Sequence, residues 1–170
     1  TQQAVNVGAW LVDRADDAVE TLSWQLIPAT SELRSTSPSN SFEELEIILQ
    51  DIQFQEQQLD IPPIAIRAYQ DIQLGKSLRL YAIIWSLPEA ENGWNLLIIL
   101  KSINDNQSPS RFSLRVSDQI EVLDEQDLIT NNNHYIYTQV EGNYDDKFII
   151  TVISETGETQ AFPPFEFIRW

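Results

Sequence analysis

The single histidine, His134, ends the polar run Asn131-Asn132-Asn133-His134. An imidazole acts as a base or orients a nucleophile only with a partner about 3 Å away. The chain has no Cys and no Gly-x-Ser-x-Gly elbow, so neither a thiol nor a strained serine is available to it. A solvated histidine in a turn before a strand is the expectation. Two carboxylate clusters, Asp124-Glu125-Gln126-Asp127 and Asn143-Tyr144-Asp145-Asp146, have the hard oxygens that calcium prefers. Calcium takes about six to eight converging oxygen ligands, and neither run has the regular acidic spacing of a dedicated calcium loop. Acidic turns between strands are ordinarily just solvated. The glycine-rich phosphate cradles of nucleotide-binding proteins are also missing. No cofactor and no catalysis are expected.

What remains is recognition. Ten Lys and Arg stand against 26 Asp and Glu, a formal net charge of −16. Phosphate backbones and anionic lipid surfaces repel such a chain, which argues against nucleic acid and membrane as partners. The longest apolar runs, such as 96–100, are far shorter than the roughly 20 residues of a spanning helix. Residues 1–60 hold 11 acidic and 2 basic residues, against 15 and 8 in 61–170, so the N-terminal part is the more anionic. A protein with a basic surface is the partner this charge selects. The candidate interaction surface is Asp13, Asp16, Asp17 and Glu20 on a first helix, Glu43 and Glu46 on a second, and the aromatic Trp170. Five tryptophans and five tyrosines raise an alternative, a small-ligand or carbohydrate-binding sandwich assisted by calcium at Asp124, Asp127, Asp145 or Asp146. Core packing claims most of these rings: Trp85 and Trp94 fall in strands, Trp10 and Trp24 beside apolar stripes.

The elements that would position these residues follow from periodicity. Val7, Trp10, Leu11, Ala15, Ala18, Val19 and Leu22 have near-helical spacing, with Asn6 as a cap and Ala4-Val5 as an edge strand before it. Residues 24–28 read as extended and 29–40 as a polar loop. Ser41-Phe42-Glu43-Glu44 matches a capping box in which the Glu44 carboxylate returns to the Ser41 amide. Leu45, Ile48, Leu49 and Ile52 then form one buried stripe, the Gln55-Glu56-Gln57-Gln58 tail stays solvated, and Pro62-Pro63 ends the helical reading.

Beyond Pro63 the texture is β. Strands are predicted at 64–70, 77–86, 94–102, 111–116, 119–123, 135–140, 146–153 and 160–168, with Gly75, Gly93, Gly142 and Gly157 between them. Strands 77–86 and 94–102 are apolar on both faces, should be central, and should pair across an Asn92-Gly93 turn. Strand 111–116 alternates Phe112, Leu114 and Val116 with Arg111, Ser113 and Arg115, and is expected at an edge.

The segments LRLYAIIWSLPE (78–89), GWNLLIIL (93–100), FSLRVSD (112–118), YDDKFIITV (144–152) and FPPFEF (162–167) resemble the cyanobacterial family catalogued as domain of unknown function 1822. The similarity extends upstream through LRSTSP (33–38), FEELEIIL (42–49) and IPP…RAYQD (61–71). It implies a cyanobacterial source and an intracellular, cytoplasmic setting, and carries no catalytic residues. The expectation is a mainly β chain: an antiparallel immunoglobulin-like β-sandwich at 61–170, with an acidic helical subdomain at 1–60 packed on it. Its function is expected to be non-catalytic protein interaction or scaffolding.

Overall fold

A computed structural model describes residues 4–11, 23–27, 40–87, 93–103, 109–130 and 134–167. In chain order the elements are β1 (Val5–Asn6), α1 (Val7–Leu11), β2 (Gln25–Ile27), α2 (Asn40–Gln55), β3 (Ile66–Leu74), β4 (Lys76–Ser86) and β5 (Trp94–Ser102). They continue with β6 (Arg111–Ser117), β7 (Val122–Ile129), β8 (Tyr135–Gly142), β9 (Lys147–Ser154), β10 (Thr159–Ala161) and β11 (Phe165–Glu166).

Two sheets pack face to face. The first has the order β2-β3-β4-β5-β8, all antiparallel. The second runs β1-β11-β9-β6-β7, with β10 also on β9, and is antiparallel except for the parallel β1–β11 pair. Inward residues of both sheets fill one interior: Leu80, Ala82, Leu96 and Ile98 meet Leu114, Val116, Ile150 and Val152. Because β4 and β5 are apolar on both faces, the outer face of the first sheet must also be covered. The α2 stripe covers it. Leu45, Ile48, Leu49 and Ile52 pack on Tyr81, Ile83, Leu97 and Ile99, giving a helix–sheet–sheet stack with two cores. Each buried aliphatic side chain contributes roughly 1.5–3 kcal/mol, which is what seats the helix.

The chain is mainly β. The β1 and β2 strands from the acidic part pair with β11 and β3, and Val5, Trp10 and Trp24 sit in the shared interior. Asn6 caps α1, its Oδ1 accepting from the Ala9 amide at 3.2 Å. All four of Trp10, Trp24, Trp85 and Trp94 are core residues. Beyond Leu11 the predicted first helix, with Asp13, Asp16, Asp17 and Glu20, lies outside the described residues, as does Trp170.

Several expectations are corrected. The strand 111–116, as β6, lies between β9 and β7 rather than at an edge. Its polar side chains mark a solvent face, where Arg115 meets Glu125 at 2.7 Å and Ser113 meets Asp127 at 2.8 Å across to β7. The strand expected at 119–123 is β7, shifted to Val122–Ile129, where Glu125 and Asp127 project onto that face and pair there. Residues 118–121 turn instead, with Asp118 Oδ1 accepting from the Ile120 and Glu121 amides at 2.8 Å each. The strand expected over 160–168 is broken by Pro163 and Pro164, which have no amide hydrogen for a ladder, into β10 and β11. The β4–β5 pairing holds as far as Ser86↔Trp94, and Leu87 donates to the Gly93 carbonyl at 2.9 Å; Asn92 of the expected turn lies outside the described residues. Gly75 does make its tight turn, at φ +77° between the paired Leu74 and Lys76.

Candidate functional site

The α2 helix crosses the first sheet and leaves a groove between itself and β8. Helical spacing splits its side chains three ways. Glu46 points to one flank, where it binds Arg67 Nε at 2.8 Å, and Arg67 is only 6% exposed and also donates to the Ala65 carbonyl at 2.6 Å. That places the expected interaction residue Glu46 in an anchoring ion pair. Glu43 faces outward with Ile47 and Phe54, which are 68% and 79% exposed. The spacing of seven between Ile47 and Phe54 puts both on one side of the helix.

Glu44 and Asp51 face β8. The first half of the groove has a volume of about 660 Å³ and is lined by Glu43, Glu44, Ile47, Asp51, Lys101 and Tyr135 among others. Lys101 is already committed, its Nζ 2.8 Å from Glu44 Oε2. Glu44 also accepts from the Tyr81 hydroxyl at 2.6 Å and lies 3.8 Å from Arg79, which in turn holds Asp71 at 2.6 Å. Glu44 is thus held by donors on β4 and β5; the Ser41 side chain of the expected capping box lies outside the described residues. Partial burial pushes the Glu44 carboxyl upward, but the bonds from Lys101 and Tyr81 and the nearby positive charges hold it below its ordinary value. The Tyr81 hydroxyl is pushed up by burial and by the Glu44 charge.

The second half, about 600 Å³, runs along β8 and contains Asp51, Gln55, Glu56, Asp124 and Gln126 with residues 134–139. Tyr135 donates to Asp51, Tyr137 to Glu56 at 3.1 Å, and Thr138 to Asp124 at 2.5 Å. Partial burial and the adjacent carboxylates push the Tyr137 hydroxyl up to about 12, and Tyr135 moves the same way. His134 is exposed on the rim shared by both halves. No nucleophilic side chain is hydrogen-bonded to it among the described residues.

No family model, curated protein or solved structure matches this chain. Its function therefore rests on geometry. The candidate calcium residues are dispersed: Asp124 is on β7 against Thr138, Asp127 accepts from Ser113, and Asp146 accepts from the Asn143 amide at 2.9 Å in a turn. Among the described residues no three His, Asp or Glu side chains cluster closely enough to hold a metal ion. Of the expected interaction residues, Glu43 lines the groove. Asp51, Tyr135 and Tyr137 were not anticipated, Glu56 was expected only in a solvated tail, and Asp124 only as a calcium candidate. The Tyr-x-Tyr spacing at 135–137 was their one visible signal, since alternation puts both rings on one face of a strand.

Proposed function

We propose that this chain is a non-catalytic protein-interaction module whose docking surface is the groove between α2 and β8 with the outward face of α2. The observation that carries this reading is the pair Ile47 and Phe54, large apolar side chains left in water on a helix otherwise seated by a full apolar stripe. Glu43, Glu44 and Asp51 surround that apolar ground, and the one lysine among them is neutralised by Glu44. An apolar patch inside an anionic rim fits a partner with apolar anchors bordered by Lys and Arg. The net charge of −16 steers such a partner inward over distances beyond contact. The resemblance to the cyanobacterial family implies an intracellular setting, where many basic proteins are available.

The test is capture of partners on immobilised chain, compared with the double variant Ile47→Ser/Phe54→Ser. Both side chains are exposed, so folding is retained. Partners held at about 50 mM salt should be released at about 500 mM, because screening shortens the reach of exposed charges. Those same partners should be lost on the variant. Equal capture by both proteins would remove this surface from consideration.

A further inference from the structure

The first sheet ends in an edge that is unusual within this molecule. Among the described residues the other sheet edges are guarded: β1 is two residues long, β2 and β10 are three each, and β7 carries Asp124, Glu125 and Asp127. Long unguarded edges recruit foreign strands, which is why proteins blunt them with charge, proline, bulges or brevity. By contrast β8 is eight residues long, contains no Lys or Pro, and has Glu141 as its single charge. Its register against β5 is unbroken from Tyr135↔Lys101 to Gly142↔Trp94, so no bulge twists it away. Among the described residues no strand pairs with its other side.

The groove beside it has the shape of a strand. Five consecutive residues, 135–139, all line it. Side chains alternate between faces along a strand, so a cavity touched by consecutive residues runs along the backbone edge itself. Asp51 of α2 and Glu56 just past its last residue flank the edge on the outer side, and Asp124 of β7 flanks it on the inner side. Among the described residues their partners are neutral: Tyr135 and Gln55 for Asp51, Tyr137 for Glu56, Thr138 and Gln126 for Asp124. Elsewhere carboxylates meet cations, as in Glu46–Arg67, Asp71–Arg79, Glu125–Arg115 and Glu166–Lys147.

We infer that the free edge of β8 receives an extended, basic segment of the partner protein as an added strand. Main-chain hydrogen bonds to β8 supply register, and the alternating side chains of the segment project to the two flanks. Lys or Arg on one side of it meets Asp51 and Glu56, and on the other side meets Asp124. This inference rests on the interaction reading above and names the chemistry of the partner at that groove.

The probe is a fluorescein-labelled peptide of eight residues, the length of β8, alternating lysine and valine. Anisotropy at low salt should report binding to the intact chain. A fully backbone-N-methylated peptide has the same charges and no amide donors, and should bind at least about tenfold more weakly. The triple variant Asp51→Asn/Glu56→Gln/Asp124→Asn keeps hydrogen-bond acceptors and should weaken the unmethylated peptide about fivefold or more, the combined effect of three exposed ion pairs. Equal binding of the methylated and unmethylated peptides would overturn strand addition, as would no binding of either. The Ile47→Ser/Phe54→Ser variant separates the two claims: it should keep the peptide and lose the captured partner. Loss of capture together with a silent peptide would leave the docking face standing and remove the β8 edge.

Discussion

Substituting Tyr81 by phenylalanine tests how α2 is held on the sheet, and hence whether the groove is a fixed surface. The ring of Tyr81 is fully buried and stays buried in Tyr81→Phe, so the change removes one hydroxyl and little packing. That hydroxyl donates to Glu44 Oε1 at 2.6 Å, within the short range typical of an O–H bond to a carboxylate. Hydrogen bonds to charged groups contribute about 1.5–3 kcal/mol. The Glu44 side chain is 39% exposed, so solvent screening brings the expected cost to about 1–1.5 kcal/mol at neutral pH. With a urea m-value of about 2 kcal/mol/M, the unfolding midpoint should drop by about 0.5–0.7 M with the slope unchanged. The cost must depend on pH. Glu44 titrates below its ordinary value in the folded chain, so its contribution is present above the unfolded pKa and is lost as pH falls through the folded one. Urea titrations of both proteins from pH 7 into the acid range should therefore converge. A double-mutant cycle with Glu44→Gln should show coupling between the two positions. A penalty that stays constant with pH, or strict additivity in the cycle, would refute the assignment of this bond as the clamp on α2.

Two further outcomes follow from the fold. At Gly142, which joins β8 to the next turn, an added Cβ would lie 2.7 Å from the Phe148 ring, itself buried against Trp94. Gly142→Ala should cost about 1–3 kcal/mol in chemical denaturation by overpacking that contact, and an unchanged midpoint would show that Phe148 moves freely. In alkali, Tyr81, Tyr135 and Tyr137 keep their protons to higher pH in the folded chain, with Tyr137 near 12. Their contribution is complete below pH 10 and declines as pH rises toward the folded values, so stability should fall across about pH 10–12. Tyr135→Phe/Tyr137→Phe should flatten that fall, as read by thermal melts at stepped pH.

Much of this molecule is written in its local pattern. The stripe Leu45, Ile48, Leu49, Ile52 needs only helical geometry to become one face, and it is buried as its spacing requires. Alternation likewise dictates the strands at 77–86 and 94–102, and their two apolar faces demand a layer on each side. Composition alone supplies the anionic field. Partnership across the fold is different, because it depends on residues far apart in the chain. Glu44 reads in sequence as a local cap, and the fold binds it to Tyr81 and Lys101, 37 and 57 positions away, since a carboxylate takes the strong donors that folding brings to it. Strand β6 looked like an edge because a polar face and an edge have the same alternating pattern, and only the pairing with both β7 and β9 distinguishes them. The groove belongs wholly to this second category: Asp51, Asp124 and Tyr135 have no sequence relation, and β8 is an edge only because the sheet order of the described residues ends there.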